Sequence, residues 1–207
     1  MSDPRTALVG RTYDEIADRF VEWQGGCEDD PRGWWREQLI SRLHEGARVL
    51  ELGCGAGLLD TRVLAESFAV TGVDISAQQI ARARANVPAA TFIHADLTDL
   101  ELEPGSFDAV ASFFVFNHVP RELLAGLFET IHGWLVPGGV FLVSLGASDL
   151  PDWTGEWLGA TTFFSGFAPN TNRSLLTHAG FHLELDEVVT LREPEGDVRF
   201  HWILGRT

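Results

Sequence analysis

Residues 49–57, Val-Leu-Glu-Leu-Gly-Cys-Gly-Ala-Gly, combine a carboxylate with glycine at every second position. The preceding stretch, residues 48–52, is short and mainly aliphatic, which is typical of a buried parallel strand. Alternating glycines let the backbone turn tightly and expose its N–H groups, so a ligand can approach the main chain closely. Glu51 stands out because a carboxylate at the end of a buried strand needs a partner.

Two families of nucleotide-binding loop are close enough to compare with this pattern. A dinucleotide-binding loop has the form G-x-G-x-x-G, which would require glycine at position 58, where this chain has Leu58. The observed form, acidic-x-Gly-x-Gly-x-Gly, resembles the first motif of class I S-adenosylmethionine-dependent methyltransferases. Its defining positions are Glu51, Gly53, Gly55 and Gly57, with Cys54 inside the loop. The resemblance implies S-adenosyl-L-methionine as the cofactor.

Two further acidic residues follow the next predicted strands, Asp74 after the second and Asp96 after the third. In an open parallel sheet, ligands bind beyond the carboxyl ends of the strands. The resemblance implies that Asp74 accepts the ribose hydroxyls and that Asp96 accepts the adenine amino group. It also places Ile75 against the adenine face and the backbone N–H of Leu97 at a ring nitrogen. Asp74 would equally suit a nicotinamide cofactor. A nicotinamide-dependent enzyme, however, does not require an acid at the position of Asp96.

Residues 107–120, which include the fourth predicted strand, resemble the family's motif beneath the methionine part of the cofactor, which implies that Phe113 contacts the cofactor. Tyr13 lies in a segment similar to the entry helix of small-molecule members, where a tyrosine closes over the cofactor. His118 is the candidate catalytic base, because an imidazole titrates near neutral pH. Alternatively, His118 orients its neighbours by hydrogen bonding to the backbone or cofactor.

The order of the elements predicts an α/β fold. Strands alternate with helices, which favours a doubly wound, mostly parallel, seven-stranded Rossmann-like sheet with helices on both faces. Two final strands without a crossover helix indicate that the last strand is antiparallel. The predicted strands are 48–52, 69–73, 90–94, 107–113, 140–145, 181–191 and 198–204, and the predicted helices are 11–23, 33–44, 58–67, 77–85, 121–134 and 172–179.

We expect one methyltransferase domain over residues 1–207, with cap helices in 1–45 and a substrate-cap insertion at 146–171. The insertion has no clear periodicity. It is rich in aromatic residues and contains Asp149, Asp152 and Glu156 but no basic residue. Its candidate acceptor-binding residues are Trp153, Trp157, Phe163 and Phe164.

This composition favours a small apolar, aromatic or cationic acceptor, methylated by an in-line displacement that mainly requires positioning. Alternatively, the aromatic residues seal a lid or form a contact within a homodimer.

The charge and composition exclude several function classes. The net charge is −15, so the chain lacks the basic surplus that nucleic-acid binding needs. All fifteen basic residues are arginine, which excludes Schiff-base chemistry, a pyridoxal-phosphate enzyme and a Walker P-loop, because each needs a lysine. Two cysteines are too few for a disulfide framework or a zinc site, and we expect no metal.

No apolar run is long enough for a membrane span, and the N-terminus lacks the apolar stretch of a signal peptide, so we expect a cytoplasmic protein without a membrane partner. Two other functions stay open on the sequence. One is a nicotinamide-dependent oxidoreductase, which the glycine spacing disfavours. The other is a non-catalytic cofactor-binding protein, because the motifs describe the cofactor and not turnover.

Overall fold

The computed structural model describes residues 3–207. Its helices are α1 (Pro4–Gly25), α2 (Arg32–Ile40), α3 (Asp60–Leu64), α4 (Ala77–Asn86), α5 (Leu124–Trp134) and α6 (Pro169–His178). Its strands are β1 (Arg48–Leu52), β2 (Ala69–Asp74), β3 (Thr91–His94), β4 (Phe107–Ser112), β5 (Leu135–Gly146), β6 (Leu150–Trp157), β7 (Ala160–Gly166), β8 (His182–Glu193) and β9 (Gly196–Arg206). Two short 3-10 turns, Phe116–His118 and Arg121–Leu123, lie between β4 and α5.

Seven strands form one sheet in the order β3-β2-β1-β4-β5-β9-β8. The pairs among β1 to β5 are parallel, whereas β9 is antiparallel to both β5 and β8. Six strands therefore run in one direction and the last strand runs against them, which confirms the predicted fold. The register brings the carboxyl ends of β1, β2 and β4 level, with Leu52 opposite Val73 and Ser112.

Helices cover both faces of the sheet because the buried strands are apolar on both sides. Leu50 and Leu52 join the hydrophobic cluster that contains α5, while Val49 joins the cluster that contains α2 and α3. Since side chains alternate along a strand, Glu51 points to the same face as Val49, towards α2 and α3. The second N-terminal helix thus packs on the sheet, with Trp35 of α2 stacked on Trp202 of β9 at 5.6 Å.

Residues 146–171, which lack a clear sequence period, contain an antiparallel hairpin of β6 and β7. Trp157 pairs with Ala160, so the turn consists of Leu158 and Gly159, with φ of +50° and +75°. Two-residue hairpin turns favour positive φ, usually with Asn-Gly or Asp-Gly. Leu-Gly lacks that signature, which explains why no hairpin was predicted here.

Several element boundaries also differ from the predictions. The first helix begins at Pro4 instead of residue 11, and α3 is much shorter than the predicted 58–67. Ser76 caps α4, since its Oγ accepts from the backbone N–H of Gln79 at 3.1 Å. In the described part of the chain, no helix has the length and apolar character needed to cross a bilayer.

Candidate active site

A cavity of about 700 Å³ lies at the carboxyl ends of the parallel strands. The sheet forms its floor, and α1 with the β6–β7 hairpin contributes to its cover. Every residue that the sequence predicted to bind the cofactor lines this cavity. They are Tyr13, Glu51, Gly53, Cys54, Gly55, Gly57, Asp74, Ile75, Asp96, Leu97 and Phe113. The structure therefore brings the predicted set together, although the strands that carry it are far apart in sequence.

The three loop glycines all have positive φ, but for different steric reasons. The φ angles are +75° at Gly53, +52° at Gly55 and +73° at Gly57. A Cβ at Gly53 would lie 2.1 Å from Cγ2 of Val115, so packing excludes a side chain there. A Cβ at Gly55 would meet no protein atom within 4 Å. Gly55 therefore presents bare backbone to the open cavity, as close ligand approach requires.

Asp74 is positioned by the glycine loop itself. One carboxylate oxygen accepts from the Gly55 N–H at 2.8 Å and the other from the Ser76 N–H at 2.9 Å. Burial raises the pKa of Asp74, although these two N–H donors oppose the shift. Each carboxylate oxygen keeps a second lone-pair direction, so Asp74 can still accept from ligand hydroxyls.

Asp96 connects β3 to the start of α1. One of its oxygens accepts from the backbone N–H and hydroxyl of Thr98, at 2.9 and 2.7 Å. The other oxygen accepts from the hydroxyl of Thr6 at 2.5 Å. The end of the cavity near Asp96 is therefore covered by α1, which the sequence did not indicate because Thr6 carries no motif.

Glu51 belongs to a buried cluster of charges between β1, α2 and α3. Its carboxylate accepts from the Thr61 hydroxyl at 2.5 Å. The neighbouring Asp60 pairs with Arg36 at 2.8 Å and with Arg32 at 3.3 Å. Burial and the charge of Asp60 raise the pKa of Glu51 to about 8. Burial also raises the pKa of Asp60, while its two arginines oppose that rise.

His118 and Tyr13 form a hydrogen-bonded pair inside the cavity. Nδ1 of His118 lies 2.9 Å from the carbonyl oxygen of Phe163, which can only accept, so Nδ1 carries the proton. In the neutral ring, Nε2 then accepts from the Tyr13 hydroxyl at 2.9 Å. Burial lowers the pKa of His118 to about 4. The ring is therefore neutral at pH 7 and both nitrogens are engaged, which favours an orienting role over that of a base.

The first helix is held over the cavity from both sides. On the α4 side, Asp14 accepts from the Ser76 hydroxyl and the Gln78 N–H, at 2.5 and 3.1 Å. On the hairpin side, the Thr12 hydroxyl donates to the carbonyl of Thr161 at 2.5 Å. Near its start, Arg5 pairs with Asp152 of β6 and with Glu122. The cap is therefore a joint structure of α1 and the β6–β7 hairpin.

The four candidate acceptor residues divide into two groups. Trp157 and Phe164 line the cavity, with ring centroids 5.8 Å apart. Trp153 and Phe163 do not line it: Trp153 is 41% exposed, and the Phe163 side chain, within β7 of the cap, is fully buried.

The acids of the same segment also differ from expectation. Asp149 pairs with Arg121 at 2.6 Å, and Asp152 pairs with Arg5 at 2.5 Å. Arginines from other segments thus use these carboxylates, which leaves them unsuited to recognising an acceptor.

Sequence reasoning missed several polar residues of the lining. The side-chain oxygens of Gln79 and Asn117 are buried without a hydrogen-bond partner among the described residues. A buried oxygen of this kind calls for a donor, which a bound ligand can supply. Glu193, at the end of β8, also lines the cavity. These residues carry no local signature, because only the packed fold brings them to one place.

Comparison with known proteins gives the same family as the site geometry. Residues 49–139 match a family model described as a methyltransferase domain. An uncharacterized methyltransferase from Synechocystis sp. is 32% identical over 99 residues, covering 48% of this chain and 47% of that protein. A ubiquinone biosynthesis O-methyltransferase from Xylella fastidiosa is 31% identical over 155 residues, covering 67% of this chain and 62% of that protein.

A solved structure shares the whole fold. It is 1,6-didemethyltoxoflavin-N1-methyltransferase from Burkholderia thailandensis, with bound 1,6-didemethyltoxoflavin and S-adenosylhomocysteine. The TM-score is 0.75 at 20% identity, covering 100% of this chain and 91% of that one. The chain spans about half the length of the Synechocystis relative. The glycine loop, the acids after successive strands and the matched family model together place this chain in the class I S-adenosylmethionine-dependent methyltransferases.

Proposed function

We propose that this protein transfers the methyl group of S-adenosylmethionine to a small apolar, aromatic or cationic acceptor by in-line displacement. One observation carries the proposal: the glycine loop, Asp74, Asp96 and Phe113, which represent the four methyltransferase motif elements, line a single cavity. The same cavity includes an aromatic chamber under the cap, which is lined by Phe20, Trp23, Trp157 and Phe164. A cavity of about 700 Å³ falls within the roughly 300–1,000 Å³ typical of small-molecule sites.

The residues of the cavity suit this cofactor. Asp74 has free lone pairs for two hydroxyls, and Gly55 leaves bare backbone towards open space. Ile75 and Leu97 supply an apolar lining near Asp96 for a planar base, and the unpartnered oxygen of Gln79 lies in the same lining. The bound sulfonium would supply an activated methyl group, so the protein has mainly to position the acceptor and exclude water.

Tyr13 is the residue that this chain offers for positioning the acceptor. Its hydroxyl proton is directed to His118, so its oxygen is free to accept a hydrogen bond from an acceptor N–H or O–H. Burial raises the pKa of Tyr13 far above neutrality, so the hydroxyl stays protonated at pH 7. We therefore propose that His118 orients Tyr13, and that the aromatic rings of Trp157 and Phe164 hold the body of the acceptor.

The decisive test is calorimetric titration of the protein with S-adenosylmethionine and, separately, with NADH. We expect saturable binding of the sulfonium alone, weakened at least roughly tenfold by Asp74→Ala because paired carboxylate hydrogen bonds are lost. Glu103→Ala, an exposed carboxylate outside the cavity lining, is the matched control. Binding of NADH instead would favour the oxidoreductase and overturn the proposal.

Turnover needs a second experiment, because cofactor binding alone also fits a non-catalytic protein. A panel of apolar amines, phenols and thiols is incubated with S-adenosylmethionine and enzyme, and S-adenosylhomocysteine formation is followed. Formation that depends on one class of acceptor supports the methyltransferase. Tight cofactor binding without product from any acceptor class favours the non-catalytic alternative.

A further inference from the structure

Glu193 is a half-buried carboxylate on the cavity wall that the cofactor motifs do not involve. It is the last residue of β8, at the tip of the β8–β9 hairpin. The tip packs on the carboxyl end of α1: the indole N–H of Trp23 donates to Glu195 at 2.8 Å, and Glu28 pairs with Arg192 at 3.1 Å. This packing fixes Glu193 beside the chamber under the cap.

Within residues 3–207, no cation or hydrogen-bond donor pairs with the Glu193 carboxylate. The nearby arginines are used elsewhere: Arg192 pairs with Glu28, Asp29 and Asp197, and Arg32 pairs with Asp30 and Asp60. A half-buried carboxylate without a partner is costly, and such groups are commonly retained for binding or catalysis.

The strand register places Glu193 on the chamber side of the hairpin. Leu191 pairs with Val198, and both lie on the same face as Glu193, because side chains alternate along a strand. Arg199 also lines the cavity but is one residue out of phase with Val198, so it lies on the other face with His201. The Glu193 carboxylate and the Arg199 side chain therefore leave the hairpin on opposite faces, and no ion pair forms between them.

The wall beside Glu193 is aromatic. Trp157 has its ring centroid 5.3 Å from that of Trp23 and 6.1 Å from that of Phe20, and all three line the cavity. Aromatic faces attract cations through the ring quadrupole, most strongly when the cation is desolvated. A carboxylate at the edge of such a wall provides the counter-charge.

We propose that Glu193 and the wall of Phe20, Trp23 and Trp157 form a subsite for an organic ammonium group, so the acceptor of this enzyme carries a cationic nitrogen. This deepens the proposed function and rests on it. In this proposal, selectivity for a cation comes from Glu193 and not from Asp149 or Asp152, whose carboxylates pair with arginines. It is a binding site, and it requires no covalent step at Glu193.

The charged and titratable groups around Glu193 predict how the subsite responds to pH. Burial and the charge of Glu195 raise the pKa of Glu193 to about 7. Tyr13 of α1 and Cys27 after it both have pKa values raised by burial, to about 11 for Cys27, so both stay neutral near pH 7. Asp30 and Arg32 pair with each other, and Glu195 accepts from Trp23. Affinity for a cation should therefore rise between pH 6 and pH 8 as Glu193 ionises.

The test compares benzylammonium with benzyl alcohol, which have similar shapes but differ in charge. Both are titrated at pH 8 and constant ionic strength into protein with and without saturating S-adenosylhomocysteine, with tryptophan fluorescence as the readout. We expect wild-type protein to bind benzylammonium roughly tenfold more tightly, a ratio typical of one charge-assisted contact. At pH 6 this ratio should shrink, while the affinity for benzyl alcohol should not change.

The matched variants are Glu193→Gln and Glu187→Gln. Glu187 is an exposed carboxylate on the same strand and face, outside the cavity lining. Glu193→Gln should reduce the ratio to about one, and Glu187→Gln should keep it, as expected for a local charge contact. Equal affinities in the wild type, no saturable benzylammonium binding, or a ratio kept by Glu193→Gln would overturn the subsite. Failure of S-adenosylhomocysteine to bind would instead overturn the proposed function. The two failures are distinguishable, because the titration of benzylammonium into ligand-free protein tests the subsite without S-adenosylhomocysteine.

Discussion

The Tyr13 hydroxyl donates to Nε2 of His118 at 2.9 Å, which joins the cap helix α1 to the 3-10 turn after β4. The other ring nitrogen donates to the carbonyl of Phe163 in β7, so one imidazole connects three separate segments. The position of the cap and the tautomer of His118 are therefore linked. The histidine fixes the direction of the Tyr13 hydroxyl, and the tyrosine occupies the lone pair that a base would need.

We predict that His118 stays neutral, with its proton on Nδ1, from pH 5 to pH 8. Burial lowers the pKa of this ring to about 4, and the Phe163 carbonyl selects the tautomer. Long-range ¹H–¹⁵N correlation spectra of the imidazole nitrogens measure both properties. An imidazolium signal for His118 at pH 6 would contradict the orienting role. Tyr13→Phe should shift the Nε2 resonance while leaving the tautomer unchanged.

Gly55→Ala should abolish or strongly weaken S-adenosylhomocysteine binding, because its methyl group would project into the open space above the loop. The positive φ at this position adds roughly 1–2 kcal/mol of strain. Gly105→Ala is the matched control: it has φ of +62°, equally open space and no place in the cavity lining. Calorimetry and thermal unfolding together separate the effects. Both variants should lose similar stability, and equal cofactor affinity in both would refute the proposed role of the loop.

The contribution of Glu51 to the free energy of unfolding should fall as the pH rises from about 4.5 to about 8. The pKa of Glu51 is raised in the folded state, so the folded protein binds this proton more tightly than the unfolded chain. Ionisation of Glu51 beside Asp60 then costs stability as the pH passes through this window.

Glu51→Gln keeps an oxygen that can accept from Thr61 but cannot ionise. We expect its melting temperature, relative to wild type, to be higher at pH 8 than at pH 5, measured without ligand. Glu66→Gln removes an exposed carboxylate just after α3, the helix that carries Thr61, and should show no such difference. A pH-independent effect of Glu51→Gln would argue against a buried, protonated Glu51.

Trp157→Ala should weaken binding of benzyl alcohol about fivefold, whereas Trp153→Ala should change it less than twofold. The reason is that Trp157 lines the cavity and packs on Tyr13 and Trp23, and aromatic pairs of this kind contribute roughly 0.5–1.5 kcal/mol beyond area burial. Trp153 packs on Phe164 but does not itself line the cavity. Trp157→Phe, which keeps an aromatic ring, should restore most of the affinity. Equal losses in both alanine variants would show that the hairpin acts only as a lid.

Local patterns were enough to predict the sheet and which residues meet at the carboxyl ends of its strands. The glycine loop follows β1 directly, Asp74 ends β2, and Asp96 lies two residues after β3. Parallel strands bring their carboxyl ends to one edge of the sheet. Position in the chain therefore fixes position in space for these residues. Backbone geometry explains the rest of the motif, because the positive φ angles of Gly53, Gly55 and Gly57 are a local property of the loop.

The part of the cavity under the cap depended on long-range packing that no local pattern encodes. The β6–β7 hairpin has no turn signature in the sequence, because its turn is Leu158–Gly159. Trp153 and Trp157 are equivalent in local sequence, and only the packing of the hairpin against α1 places Trp157 in the cavity lining. The partners of His118 come from residues 13 and 163, and those of Asp152 include Arg5, so their roles followed only from contacts across the chain. The sequence by itself determined which cofactor chemistry the strand ends present. Only the tertiary structure decided which side chains the cap turns inwards, because burial and pairing depend on contacts between distant segments.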